Sequence, residues 1–461
     1  MVEQDSQYQR IAVAPARERA EPKYPWMGEW WFRLLALVFL AELFVPFLRW
    51  PFGMPKMVEG SIHGLIGLAV LAVFAIMMTE DRIPKGILVI LGITLIWGIV
   101  VIYEGTSIPA FLWGWYRMFR YPLVGIFAYL TADDPKDFAK WFVKFCMALL
   151  VFQVGVQVVM YAMGYPINDE MGGTFGWRGV AKYIMMVFFI VSVMIGHWMA
   201  TRELKYLVVA MALGLLGSIL SATKFYLFGL LIMLGVAALI QIIWGGKLRQ
   251  LLIFLVLLII IGAVFVPIYN NFLVGMGLPT LNEVMQGEAL ERYLFSVEGS
   301  PGDGYYLGRG QSLIYGWQQI QRDTVTTLFG HGLGGRSSSV LLGIGGASFQ
   351  NDVYGGASSS GLGVWMQEYG LVGLTVFLLI AAWINMRLFQ FARRFKDPFQ
   401  LSMTYGLIVF TTCFPVWTFY ISLTAAGVMA ILYCVALGYI FRQGVRSAAL
   451  PFRPKARFPQ R

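Results

Sequence analysis

Long apolar runs, broken by short polar turns, fill most of this 461-residue chain. A run of about 17 to 25 apolar residues can cross a bilayer as a helix, which satisfies its own backbone groups in lipid. About twelve such runs can be read, near Phe32–Phe47, Ile62–Met78, Ile87–Ile102, Phe111–Leu130, Trp141–Met163, Ala181–Met199, Tyr206–Leu220, Phe225–Trp244, Leu251–Ile268, Leu362–Met386, Tyr405–Ile421 and Leu423–Phe441. The last two also read as one merged or re-entrant element. Trp26, Trp30 and Trp31, just before the first run, suit an interfacial anchor. One long polar segment interrupts the pattern, from about Tyr269 to Gly361. The pattern predicts an all-α polytopic membrane protein: a tail over 1–31, nine helices over 32–268, a large loop over 269–361, three helices over 362–441 and a basic tail over 442–461.

Composition agrees with that pattern, at 58% hydrophobic and 13% charged residues; soluble domains sit nearer a quarter charged. The net charge of +10 would point to nucleic acid in a soluble protein. Here the basic residues fall mostly in short loops and tails, so they set topology instead. Arg393, Arg394 and Lys396 mark one inner loop, and Arg442, Arg446, Arg453, Lys455, Arg457 and Arg461 an inner tail. This bias places both termini in the cytoplasm and the large loop on the outer side. The polar N-terminal stretch leads into a run without a small-x-small cleavage site, so the first span is expected to be retained. Cys146, Cys413 and Cys434 lie inside apolar runs and read as packing residues. No internal repeat is visible, which weakens an inverted-repeat transporter reading.

Charges inside or beside the apolar runs are the costly features. Arg117 and Arg120 sit one to two turns into the fourth run, three residues apart and so on one helix face. An intramembrane Arg must pair or line a wet cavity. Pairing with the span that carries Glu42, or snorkelling, is the structural alternative. Lys224 occupies a tight turn between two runs, Arg178 a Gly-rich stretch entering the sixth run, and Arg309 the large loop. These five cations could reach one outward-facing cavity, and guanidinium forks bind phosphate oxygens well. Backbone amides of glycine-rich turns could add donors. Such a pocket at the membrane boundary suits a lipid-linked diphosphate. The alternatives are headgroup contact for Lys224 and loop salt bridges for Arg178 and Arg309, the latter close in sequence to Asp303. The outer loops hold no Asp-x-Asp pair and no metal-ligand spacing, and no Gly-rich loop of nucleotide-binding type occurs. No metal, cofactor or nucleic acid is therefore expected. Asp133-Asp134 falls on the inner side and reads as a helix cap.

Several segments resemble, in order, the superfamily of O-antigen ligases and Wzy-type polysaccharide polymerases. GTFGWRGVA resembles the Gly-Thr-Phe-Gly stretch before the sixth span, and Leu220-Ser221-Ala222-Thr223-Lys224 a Leu-x-x-Ser-Arg turn with Lys for Arg. Arg309 with Trp317 resembles the loop region where an Arg precedes a Trp. Phe329-Gly330-His331-Gly332-Leu333-Gly334 resembles the Gly-x-Gly-x-Gly turn, and Glu368-Tyr369-Gly370-Leu371-Val372-Gly373-Leu374 the Glu-x-Gly-Leu-x-Gly-Leu that opens the next span. The likeness covers roughly Arg117 to Leu374. One departure matters: where ligases carry His-Asn before that Glu, this chain has Ser359-Ser360. That favours a polymerase-like member.

The resemblance implies a many-helix, GT-C-like fold in a bacterial inner membrane, with a partly helical periplasmic loop over the active site. It implies metal-independent transfer of a glycan from undecaprenyl diphosphate. The acceptor would be a sugar hydroxyl of another lipid-linked repeat for a polymerase, or of lipid A–core for a ligase. A chain-length regulator is a candidate partner. Without a metal, cations must stabilise the leaving diphosphate; Arg178, Lys224 and Arg309 are expected in that role, with Arg117 or Arg120 in support. A base would speed attack by the hydroxyl, and His331, Asp352 and Glu368 are the candidates. Structurally, His331 could only shape a turn, and Glu368 could open a helix, where negative charge is favoured. His63 and His197 lie near span ends and read as interfacial or packing residues. The Gly/Ser-rich stretch Gly330–Gly363 reads equally as a lid or phosphate nest and as a tether. Tyr305, Tyr306, Tyr315, Trp317 and Tyr354 could stack on sugars or form the loop's own core. A transporter of a lipid-linked sugar or an anion is the reading from another class, because Arg117 and Arg120 would serve it too.

Overall fold

The computed structural model describes residues 85–131, 137–167, 171–176, 179–243, 304–336, 360–422 and 426–449, with shorter pieces between 37 and 78, between 252 and 300, at 338–339 and at 344–346. The apolar runs become helices: α1 (Lys85–Tyr103), α2 (Ile108–Thr131), α3 (Phe138–Ala162), α4 (Val180–Thr201), α5 (Leu204–Leu220) and α6 (Phe225–Ile243). Among the described residues six helices are long and apolar enough to cross a membrane, or up to seven if one bent pair counts as a span. This is an architecture compatible with an all-α membrane protein. Residues 37 and 39–45, within the expected first span, are also helical. Half of the expected ninth span, Leu251–Ile268, lies outside the described residues, as do the N-terminal tail and residues 450–461 of the basic tail.

The middle of the bundle is α4. Every residue from Tyr183 to Met199 is buried, because the helix is apolar all round and has neighbours on every side. Its most extensive partner is α12 (Pro398–Thr412). Gly196 and Gly406 let the two backbones close up: a Cβ at Gly196 would meet the Ser402 carbonyl, and one at Gly406 would lie 2.7 Å from Val193 Cα. Small residues give such close contact in the absence of any hydrophobic drive between helices in lipid. The same device joins α2 to α14 (Gly427–Ala449), where Gly438 faces the Gly125 carbonyl.

Three boundaries differ from the sequence reading. The helix α7 (Val266–Gly275) runs through Tyr269, so helix continues past the point where the loop was expected to begin; the segment VPIYNNFLVG stays largely apolar and Tyr269 is fully buried. The helix α11 (Gly361–Ala392) is broken at Gly370, whose φ of 63° and ψ of −166° no helix accommodates. The expected span Tyr405–Ile421 is instead α12 followed by α13 (Phe414–Tyr420), bent by 58°. Pro415, at the start of α13, has no N–H to continue the α12 ladder.

The large loop contains α8 (Gly287–Phe295), a hairpin of β1 (Val297–Ser300) and β2 (Gly304–Leu307), then α9 (Arg309–Ile320), α10 (Thr324–Phe329) and a two-residue pairing of β3 (Ser338–Ser339) with β4 (Ile344–Gly345). Both α9 and α10 pack against the first turns of α11. Asp323 caps α10, its carboxylate accepting from the Thr326 N–H at 2.8 Å. Ser360 caps α11, its hydroxyl accepting from Gly363 N–H while its own N–H points to the Ser312 hydroxyl.

Candidate functional site

Two polar clusters flank α9, a helix of twelve residues: one is tied to the turn after it through Arg322, and the other contains its first residue, Arg309.

The first cluster is built on the glycine turn after α10. Gly330, Gly332 and Gly334 have φ values of 69°, 81° and 81°, a region that penalises any side chain. They also press against their neighbours. A Cβ at Gly334 would strike the Ala110 carbonyl of α2, one at Gly332 would lie 2.7 Å from Val101 Cγ2 of α1, and one at Gly330 2.6 Å from the Gln367 carbonyl of α11. Gly114 of α2 meets the Gly334 backbone from the other side. Trp97 Nε1 donates to the Phe329 carbonyl at 3.0 Å, and His331 N–H to the Gln367 carbonyl at 2.8 Å. Four elements therefore fix where His331 sits, and it is 3% exposed.

Its imidazole has a carboxylate partner that sequence reading missed. Nδ1 lies 3.0 Å from Glu104 Oε2, and Glu104 Oε1 takes an Arg322 guanidinium N–H at 2.8 Å. Glu104 follows α1, where Gly105 ends the helix with φ 69° and the Thr106 N–H returns to the Val101 carbonyl. The Glu104 side chain is thereby brought inward, to 4% exposure. A carboxylate held by a guanidinium only accepts, so Nδ1 carries the proton and Nε2 the lone pair. Nε2 is buried and has no hydrogen-bond partner among the described residues. Burial pushes the imidazole below the usual histidine value of 6.5; Glu104 opposes this, while Arg336 and Arg322 reinforce it. His331 is thus neutral at pH 7. Beside it, Glu368 is hydrogen-bonded to Tyr369, which also feels Arg117. Gln367 is 1% exposed, and neither polar atom of its amide has a partner among the described residues.

The second cluster sits at the N-terminal end of α9. Arg309 donates from Nε to the Tyr293 hydroxyl at 3.0 Å and from Nη1 to the Tyr420 carbonyl at 3.1 Å. Its Cζ lies 4.2 Å from the centroid of the Tyr420 ring and 5.7 Å from that of Tyr293. Tyr420 in turn stacks on Phe225 at 3.9 Å and 1°. Phe225 begins α6, directly after Lys224, in a turn closed by the Thr223 N–H on the Ser218 carbonyl. Arg309 thus reaches an aromatic pair whose Phe225 directly follows Lys224, 85 residues earlier by number. Between the clusters, Arg336 lies 5.9 Å from the Tyr315 ring of α9 and is itself buried.

Arg120 pairs with Glu42: its Nη1 lies 3.2 Å from that carboxylate, Tyr121 donates to the same group at 3.0 Å, and Arg120 lies over the Tyr121 ring at 4.4 Å. This is the pairing with the Glu42 span given above as the structural alternative. Glu368 is not at a helix start. It lies seven residues beyond Gly361 and two before the Gly370 break, so the first-turn dipole does not explain it. Arg178 and Asp352 lie outside the described residues, as do His63, Asp303, Ser359 and Tyr354. His197 is buried against Ser402 at 3.1 Å, a packing role. Cys146, Cys413 and Cys434 are free thiols. Among the described residues no three His, Cys, Asp or Glu side chains gather at metal-holding spacing.

Glu104 had one sequence signal, as the charged residue of a short turn expected on the outer side, and Arg322 another, as a cation of the large loop. No protein family matches the sequence, and no curated protein matches it either.

Proposed function

We propose that this chain is a membrane polysaccharide polymerase. It transfers a growing glycan from undecaprenyl diphosphate to a sugar hydroxyl of another lipid-linked repeat. In this reading about twelve spans cross a bacterial inner membrane, both termini are cytoplasmic, and the loop over 269–361 faces the periplasm. The ordered resemblance of Arg117–Leu374 to O-antigen ligases and Wzy-type polymerases supports it.

The observation that carries the reading is the meeting of Arg309 and the Lys224 turn at the Tyr420–Phe225 stack. A guanidinium held by aromatic rings, a phenol and a carbonyl is oriented for an anion. As the glycosidic oxygen leaves, negative charge grows on the diphosphate, and fixed cations lower the barrier most when their geometry precedes the reaction. His331 stands at the other end of α9 as a neutral imidazole suited to take the hydroxyl proton.

Arg309→Ala and Lys224→Ala, each checked for insertion and amount, test this. Loss of polymer with retained lipid-linked repeat units is the expected result; normal polymer in both would remove the diphosphate site. Transfer to lipid A–core is the second reading. What favours it is His331 itself, a paired histidine in the loop despite Ser359-Ser360. Finished lipid-linked polymer accumulating in cells without the protein would select it.

A further inference from the structure

We propose that Glu104 is the positioning residue of an acid–base pair in which His331 Nε2 takes the proton of the acceptor hydroxyl. The proposal rests on the glycosyl-transfer reading above. Three geometrical facts lead to it. Glu104 bonds Nδ1 at 3.0 Å and is itself tied by Arg322 at 2.8 Å. The backbone of His331 is pinned by Gln367 and by glycines that touch α1, α2 and α11. The remaining nitrogen, Nε2, is buried and unsatisfied by any described residue. A purely structural turn has no need of an imidazole with one nitrogen matched to a carboxylate and the other left open. Among the described residues His331 is the histidine that combines a carboxylate on one ring nitrogen with a buried, open second nitrogen, an arrangement suited to taking up a proton.

The step balances as follows. The acceptor oxygen bonds the anomeric carbon, and the bond from that carbon to the diphosphate oxygen breaks. The diphosphate leaves with the electron pair, and the hydroxyl proton goes to Nε2. The resulting imidazolium donates from Nδ1 to Glu104, whose charge stabilises it. Arg336, in the same loop, and Arg322, at the turn before α10, oppose that cation, and Glu368 is the nearest acid in sequence on α11. Glu104 is therefore the group that makes protonation of His331 affordable. The enclosed setting strengthens each of these interactions.

The test is the pH–rate profile of membranes carrying wild type, Glu104→Gln, Glu104→Asp and His331→Gln, with lipid-linked repeat units as substrate. His331→Gln is expected to lose about 100- to 10,000-fold in kcat. Glu104→Gln is expected to lose about 100-fold, with KM little changed and the acid limb moved to lower pH, and Glu104→Asp to recover part of the rate. An independent readout uses 15N-histidine in the whole protein, which has only three histidines: His331 should show Nδ1–H and an unprotonated Nε2. A working wild type whose rate and acid limb survive Glu104→Gln, or an Nε2–H tautomer, overturns the proposal and leaves the polymerase reading standing. A wild type that forms no glycosidic bond overturns the polymerase reading, and this proposal with it.

Discussion

The two ends of α9 hold charge in opposite ways. At His331 the site is closed: glycines at positive φ press it against three helices, and a carboxylate tied to Arg322 fixes its ring. At Arg309 the site is looser and aromatic: a guanidinium rests on Tyr420 and touches Tyr293, which is 43% exposed. The difference matches what each would have to do. Proton transfer demands a fixed atom in a dry place. Holding a bulky diphosphate on a lipid demands cations at an accessible edge.

The sharpest way to separate the two ends is Gly334→Val. The side chain would be forced to φ 81° and into the Ala110 carbonyl. Strain and overpacking together should cost about 4 kcal/mol. Thermal unfolding in detergent should show a lowered midpoint together with lost activity. Tyr293→Ala, at the exposed end, should leave that midpoint nearly unchanged.

Arg309→Ala should do the reverse. Activity should fall about 100- to 1,000-fold, the size of losing one charge-stabilising donor, with little change in stability. A large drop in unfolding temperature instead would make Arg309 a structural residue and collapse the contrast.

Acid gives a smaller effect at the closed end alone. The His331 value is lowered in the folded protein, so below about 6.5 the unfolded chain takes up the proton first and stability falls with pH. Comparing unfolding at pH 7.5 and pH 5.5 for wild type and His331→Gln isolates this contribution; the wild type should lose more. The smallest effect is at the α10 cap, where Asp323→Ala should cost about 1 kcal/mol. Hydrogen bonds from Thr326 and then Arg322 hold the Asp323 carboxyl below its usual value of 3.8. The stability it adds is complete above that pH and is lost as pH falls through the lowered value.

The apolar runs were legible because a helix in lipid needs only length and hydropathy: α1 to α6 fall within a few residues of the expected positions. Gly370 was not, because one glycine inside an apolar run leaves the overall pattern unchanged, and the bend after α12 was foreshadowed only as the merged or re-entrant alternative for the last two runs. At the site, the Gly-x-Gly-x-Gly turn and the candidacy of His331, Arg309 and Lys224 could be read from residue type. Their grouping could not. Glu104 meets His331 across 227 positions and Arg322 across 218, and no local spacing encodes such contacts. Arg120 shows the same limit in the other direction, since its partner Glu42 was named only as one alternative and the structure selects it.

The most direct test of the polymerase account is mass spectrometry of the lipid-linked glycans in cells that lack this protein, with the gene restored as control. The account predicts that a single repeat unit on undecaprenyl diphosphate accumulates, that long polymer disappears, and that both revert on restoration but not with Arg309→Ala. An unchanged pool of lipid-linked glycan and polymer would contradict it.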